Sequence, residues 1–84
     1  LPILYSRPEL TLQERELVTL SSLIAQGGCE AQLRVHVNAA LNVGIAPEKI
    51  TEVCIHSIPY TGFPRVLNGV FIVQDILKGR KDKE

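Results

Sequence analysis

The chain has 84 residues, enough for one small domain that is only marginally able to bury a core by itself. Its hydrophobic fraction is 45% with only 5% aromatic, so the core must be aliphatic, and that much apolar surface on a short chain points to contact with other subunits. Nine Lys and Arg balance nine Asp and Glu, which argues against a nucleic-acid binder, since that function needs a basic face.

No apolar run reaches the roughly 18 to 20 residues needed to span a bilayer, and no secretory signal pattern is present. Two cysteines are too few for a disulfide framework, which points to a reducing cytoplasm. The chain opens at Leu1-Pro2 and contains no methionine, so a segment upstream is expected to be missing.

Residues 1–9 read as an extended lead-in. "TLQERELVTLSSLIAQGG" then opens on Thr11 and Glu14, a Thr-x-x-Glu capping box, and carries Leu12, Leu17, Leu20, Leu23 and Ile24 at helical spacing up to Gly27-Gly28. "CEAQLRVHVNAALNVG" predicts a second helix with Leu33, Val37, Ala40 and Leu41 on one side and Gly44 as its stop. "APEKITEVCIHSIPY" predicts a third. Pro47 suits its first position, Ile50, Val53, Cys54 and Ile58 form its stripe, and Pro59 should kink or end it. "FPRVLNGVFIVQDILKG" predicts a fourth, with Val66, Leu67, Val70, Phe71, Val73 and Ile76 periodic. The tail "KGRKDKE" reads as a solvated end. Short connections imply antiparallel neighbours, so the expected fold is a single all-α domain over 1–84, a compact bundle of helical hairpins with about four helices.

Three titratable groups fall on inner stripes. Glu16 sits beside Leu12, Thr19 and Leu20; such a carboxylate must be paired or hold its proton more tightly. His36 sits beside Leu33, Ala39 and Ala40, and His56 follows Glu52 by one turn. Each has a bland reading: a carboxylate bonded to backbone or lysine, a satisfied core histidine, an ordinary Glu52–His56 helical pair. Together they form a candidate catalytic set, provided that three helices bring them to one cavity. Cys54 faces the core stripe as a small hydrophobe, whereas Cys29 opens a helix; a bridge between them stays open. Glu16, His36 and His56 show no metal-ligand spacing, so no metal is expected.

"YSRPEL", "RELVTLSSL", "LRVHVNAALNVG" and "EVCIHSIPYTGFP" resemble the carboxymuconolactone decarboxylase family, within the alkylhydroperoxidase D-like superfamily, from about Tyr5 to Leu77. The hydroperoxidase-like branch carries a glutamate, Cys-x-x-Cys and a histidine. Glu16, Cys29 and His36 match within one residue of spacing, but Gln32 replaces the second cysteine. The decarboxylase branch matches better, at Arg34, His36, His56, Tyr60, Gly62, Phe63 and Pro64.

That resemblance implies a cofactor-independent decarboxylase acting on a small carboxylated lactone or related keto acid, assembled as a homo-oligomer, a trimer or hexamer. It implies His36 and His56 as proton donor and polarising group, with Glu16 orienting one imidazole or sharing its proton. Arg34 would bind a substrate carboxylate, and Tyr60 and Phe63 would wall the pocket. Two alternatives stand beside it: a thiol peroxidase using Cys29 with Cys54, and a non-catalytic oligomeric binding module.

Overall fold

The computed structural model describes residues 2–84. It contains five helices: α1 Pro2–Tyr5, α2 Leu12–Gln26, α3 Glu30–Asn42, α4 Pro47–Thr61 and α5 Phe63–Asp82. No strand occurs among the described residues, so the chain is all-α. None of the helices described is long and apolar enough to cross a membrane.

The capping signals are realised as hydrogen bonds. The Thr11 hydroxyl accepts from the Glu14 amide at 3.0 Å while the Glu14 carboxylate accepts from the Thr11 amide at 2.8 Å. Those bonds, the backbone one foremost, hold the Glu14 carboxyl below its ordinary 4.5. At the far end of α3, Gly44 takes φ 91°, which only glycine adopts without steric cost. Its amide bonds the Leu41 carbonyl and the Ile45 amide bonds the Ala40 carbonyl, the paired closure of a Schellman stop. Ile45 is thereby folded back into the core beside Ala40.

One local expectation is corrected and another narrowed. The lead-in is not extended throughout, since Pro2–Tyr5 makes a single helical turn; Leu1 lies outside the described residues. Of the two outcomes expected at Pro59, a kink or an end, the end does not occur: α4 continues to Thr61. The bond that Pro59 cannot donate would have gone to the carbonyl of Ile55, and both residues lie on the exposed side, where water can take that carbonyl. Gly62 alone then separates α4 from α5.

Helices α2 and α3 pack as one hairpin and α4 and α5 as another; α3 lies against α5 and α2 against α4, leaving α3 and α4 on a diagonal. The other diagonal, α2 to α5, is close because α5 carries Gly69 there. A methyl group added at Gly69 would sit 3.0 Å from Ile24 Cγ1 and 3.2 Å from its Cδ1. Replacing Gly69 by leucine is therefore expected to cost about 1–3 kcal/mol by overpacking. Urea unfolding checks this, and an unchanged midpoint would show that the α2–α5 crossing tolerates a side chain.

The core is Leu20, Ile24, Leu33, Val37, Ala40, Ile45, Ile50, Cys54, Val66, Ile72, Val73 and Ile76, with no aromatic among them. The periodicity read on α5 was partly misplaced. Leu67 and Phe71 point outward, 42% and 60% exposed, and Ile72 is buried instead. Both the inner and the outer faces of α5 are apolar, so hydrophobic period alone does not choose between them.

Candidate functional site

The best-defined polar feature joins α2 and α3. Glu16 is 5% exposed, on the turn before the core residue Leu20. A carboxylate at that depth needs a partner, and His36 supplies it: Nδ1 lies 3.0 Å from Glu16 Oε1. Because the carboxylate accepts, Nδ1 carries the proton, which leaves Nε2 as the reactive nitrogen. Nε2 has no hydrogen-bond partner among the described residues, and the imidazole remains partly open to solvent.

Tyr5 covers this pair. Its ring stacks on the imidazole with centroids 6.4 Å apart and planes 19° apart. The Thr19 hydroxyl donates to the Arg15 carbonyl at 2.9 Å, so the Tyr5 hydroxyl donates in turn to Thr19 at 2.7 Å. Sequence periodicity misses Tyr5, because it lies outside the long helices and only the α2 surface places it.

His56 stands elsewhere. It opens onto a cavity of ≈ 430 Å³ between α2 and α4, whose apolar wall is Leu17, Val18 and Val53. Neither Glu16 nor His36 lines that cavity. Glu16 and Thr19 face α3 and Tyr5, whereas Leu17 and Ser21 face α4, so the two imidazoles occupy opposite flanks of α2 with Val18 on the ridge between. Within one chain the three groups do not share a cavity. Glu52 forms no ion pair with His56; among the described residues the ion pairs are Glu16–His36 and Arg34–Asp75.

Tyr60 keeps company with His56, ring centroids 5.7 Å apart, and lines with it a smaller recess of ≈ 330 Å³. It is 80% exposed, and Phe63 is 60% exposed at the start of α5. Arg34, next but one to His36 in sequence, turns to α5 instead and pairs with Asp75 at 2.7 Å in an exposed bridge of little energetic weight.

The thiols are both free. Cys29 precedes α3, half-buried, its Sγ 3.4 Å from the Gly27 carbonyl that it donates to. Cys54 is buried mid-α4, and burial pushes its thiol above its ordinary 9.0. A group shifted this way favours the fold while it stays neutral, and that contribution is lost as pH rises from 9.0 through the folded value. Cys29 stands in the turn between α2 and α3 and Cys54 within α4, and no disulfide joins them. Among the described residues, no three His, Cys, Asp or Glu side chains gather into a group able to hold a metal ion.

Comparison with known proteins bears on this arrangement. The sequence model of the Carboxymuconolactone decarboxylase family matches residues 2–75. The 4-carboxymuconolactone decarboxylase of Acinetobacter baylyi is 32% identical over 74 residues, covering 88% of this chain and 54% of the relative. The nitrosuccinic acid decarboxylase npaB of Metarhizium robertsii is 29% identical over 79 residues, covering 94% of this chain and 54% of the relative. The chain thus spans about half the length of the curated relatives it matches. With the family's sequence pattern running through α1 to α5, and Glu16 and His36 joined within it, the chain belongs to the carboxymuconolactone decarboxylase family.

Proposed function

We propose that the chain is a cofactor-independent decarboxylase that takes a small carboxylated lactone or a related keto acid, with the Glu16–His36 pair handling the proton. The observation that carries this reading is the 3.0 Å bond between a buried carboxylate and a partly open imidazole whose far nitrogen is unengaged. Both relatives are named for removing a carboxyl group from a small acid, which supports the same class.

The chemistry asks little of the protein. The bond between the carboxylate carbon and the substrate breaks, CO2 leaves, and the electron pair flows through a double bond to the carbonyl oxygen. The resulting enolate takes one proton on carbon. His36, protonated at Nε2, gives that proton and is recharged from water, so the net change is loss of CO2 and uptake of one proton. Glu16 offsets the positive charge of the imidazolium and fixes its ring, while Tyr5 limits its tilt.

His56 has the chemistry to polarise the carbonyl, but it lies across α2 from His36. It joins the reaction by reaching the Glu16–His36 pair of a neighbouring copy. The apolar residues left exposed around its flank, Val18, Ile55, Tyr60 and Phe63, favour such an assembly, a trimer or hexamer of this chain.

The test is an assay of the oligomer against carboxylated lactones, keto acids and organic hydroperoxides, with and without a dithiol. CO2 release from a lactone or keto acid without additives is the expected result. Hydroperoxide consumption that needs the dithiol and disappears in Cys29→Ser, with no CO2 released from any acid, would overturn the reading.

A further inference from the structure

We propose that Arg15 is a specificity-determining anchor for a substrate carboxylate that is retained through the reaction; this rests on the decarboxylase reading above. Arg15 lines a cleft of ≈ 320 Å³ together with Leu4, Tyr5, Leu10, Val18 and Thr19. Tyr5 is shared: it walls this cleft and stacks on His36, so the cleft and the proton-carrying imidazole are separated by one aromatic ring.

The guanidinium is underused. Nη2 donates to the Arg7 carbonyl at 2.9 Å, while Nε is buried with no partner. No acid forms an ion pair with Arg15 among the described residues: Glu16 is taken by His36, Glu14 is held by the Thr11 cap and acts on Arg15 only through space, and the remaining ion pair is Arg34–Asp75. A buried N–H without an acceptor is costly, and a cation without a counter-charge more so. A carboxylate entering the cleft supplies that counter-charge and takes the guanidinium N–H groups that the bond to Arg7 leaves free. Arg34, the arginine that the sequence put forward for this task, is engaged by Asp75.

The walls define the rest of the ligand. Leu4, Leu10 and Val18 are 54%, 43% and 56% exposed, large apolar side chains turned to an open cleft beside a tyrosine ring. They suit a compact, ring-sized apolar body. Charge then decides which carboxylate Arg15 holds. The scissile carboxylate loses its negative charge as CO2 forms, so a cation on it would stabilise the ground state more than the transition state. A carboxylate that stays on the product is bound equally throughout. Arg15 therefore selects acids that bear a second, non-reacting carboxylate.

The experiment uses benzoate as a probe, with benzamide as its neutral counterpart, and follows the side-chain Nε–H signals of the arginines in the full-length oligomer by NMR. Benzoate is expected to shift the Arg15 signal and leave those of Arg34 and Arg80 in place, with benzamide inert. Arg15→Gln should weaken benzoate binding by at least about tenfold, and Arg15→Lys should recover part of it. With a substrate of two carboxylates, Arg15→Gln should raise KM more than it lowers kcat, and that penalty should vanish when the non-reacting carboxylate is an ester.

An Arg15 signal indifferent to benzoate in the parent protein overturns the anchor, whether or not the variants fold. Benzoate binding that depends on Arg15, with no acid decarboxylated, keeps the anchor and removes the reaction. Turnover with unchanged KM in Arg15→Gln does the reverse.

Discussion

Replacing His36 by alanine is expected to lower turnover at least about a hundredfold, the scale on which a positioned acid–base group contributes. In barrier terms that is about 2.7 kcal/mol. The loss should fall on kcat, because the proton is delivered only as the enolate forms. Glu16→Gln keeps an acceptor opposite Nδ1 but removes the charge, so it should lose less than His36→Ala. Circular dichroism and urea unfolding are the controls, because removing His36 leaves the buried Glu16 carboxylate without its partner and a loss of fold must be told apart from a loss of proton transfer.

The same variant decides where His56 acts. If His56 reaches the pair of a neighbouring copy, His56→Ala is also inactive, and mixing the two inactive proteins restores activity. Random pairing of subunits predicts recovery to about a quarter of the parent rate, the chance that one site receives both intact imidazoles. No recovery places His56 and His36 in one chain's site, against their placement on opposite flanks of α2. Full activity of His56→Ala leaves the Glu16–His36 pair to act without it, and full activity of His36→Ala ends the mechanism.

The largest effect on stability is expected at Leu20. It is 1% exposed and sits one turn after Glu16, at the centre of the face that α2 turns to the bundle. Leu20→Ala removes three carbons and leaves a cavity, for a loss of about 2–5 kcal/mol. An 84-residue domain has only about 4–12 kcal/mol in all, so the variant should unfold at a much lower urea concentration and populate the unfolded state near neutral conditions. If the parent's assembly contributes to stability, the loss will depend on protein concentration. An unchanged midpoint at fixed concentration would mean that the site collapses around the missing atoms.

Much of the fold was legible because its signals are local. The Thr11–Glu14 box, the Gly44 stop and Pro47 at the head of α4 act within one helical turn, and all three appear where the residues placed them. The aliphatic core followed from composition. Glu16 could be singled out because a carboxylate on an apolar stripe demands a partner, whatever that partner is.

The partners themselves were decided by packing. Glu16 meets His36 across 20 residues and Arg34 meets Asp75 across 41, distances along the chain over which no periodicity operates. The rotation of each helix about its axis, set by Gly69 against Ile24 and by the α2–α3 hairpin, turned His36 toward Glu16 and left His56 on the other flank of α2. It also left Arg15 Nε without a partner, in a side chain that shares a cleft with Tyr5, a residue that only the fold brings to His36. Composition and caps thus determined that these helices form and where they stop. Their azimuths, fixed by the close contact of side chains from different helices, determined which polar groups became a site.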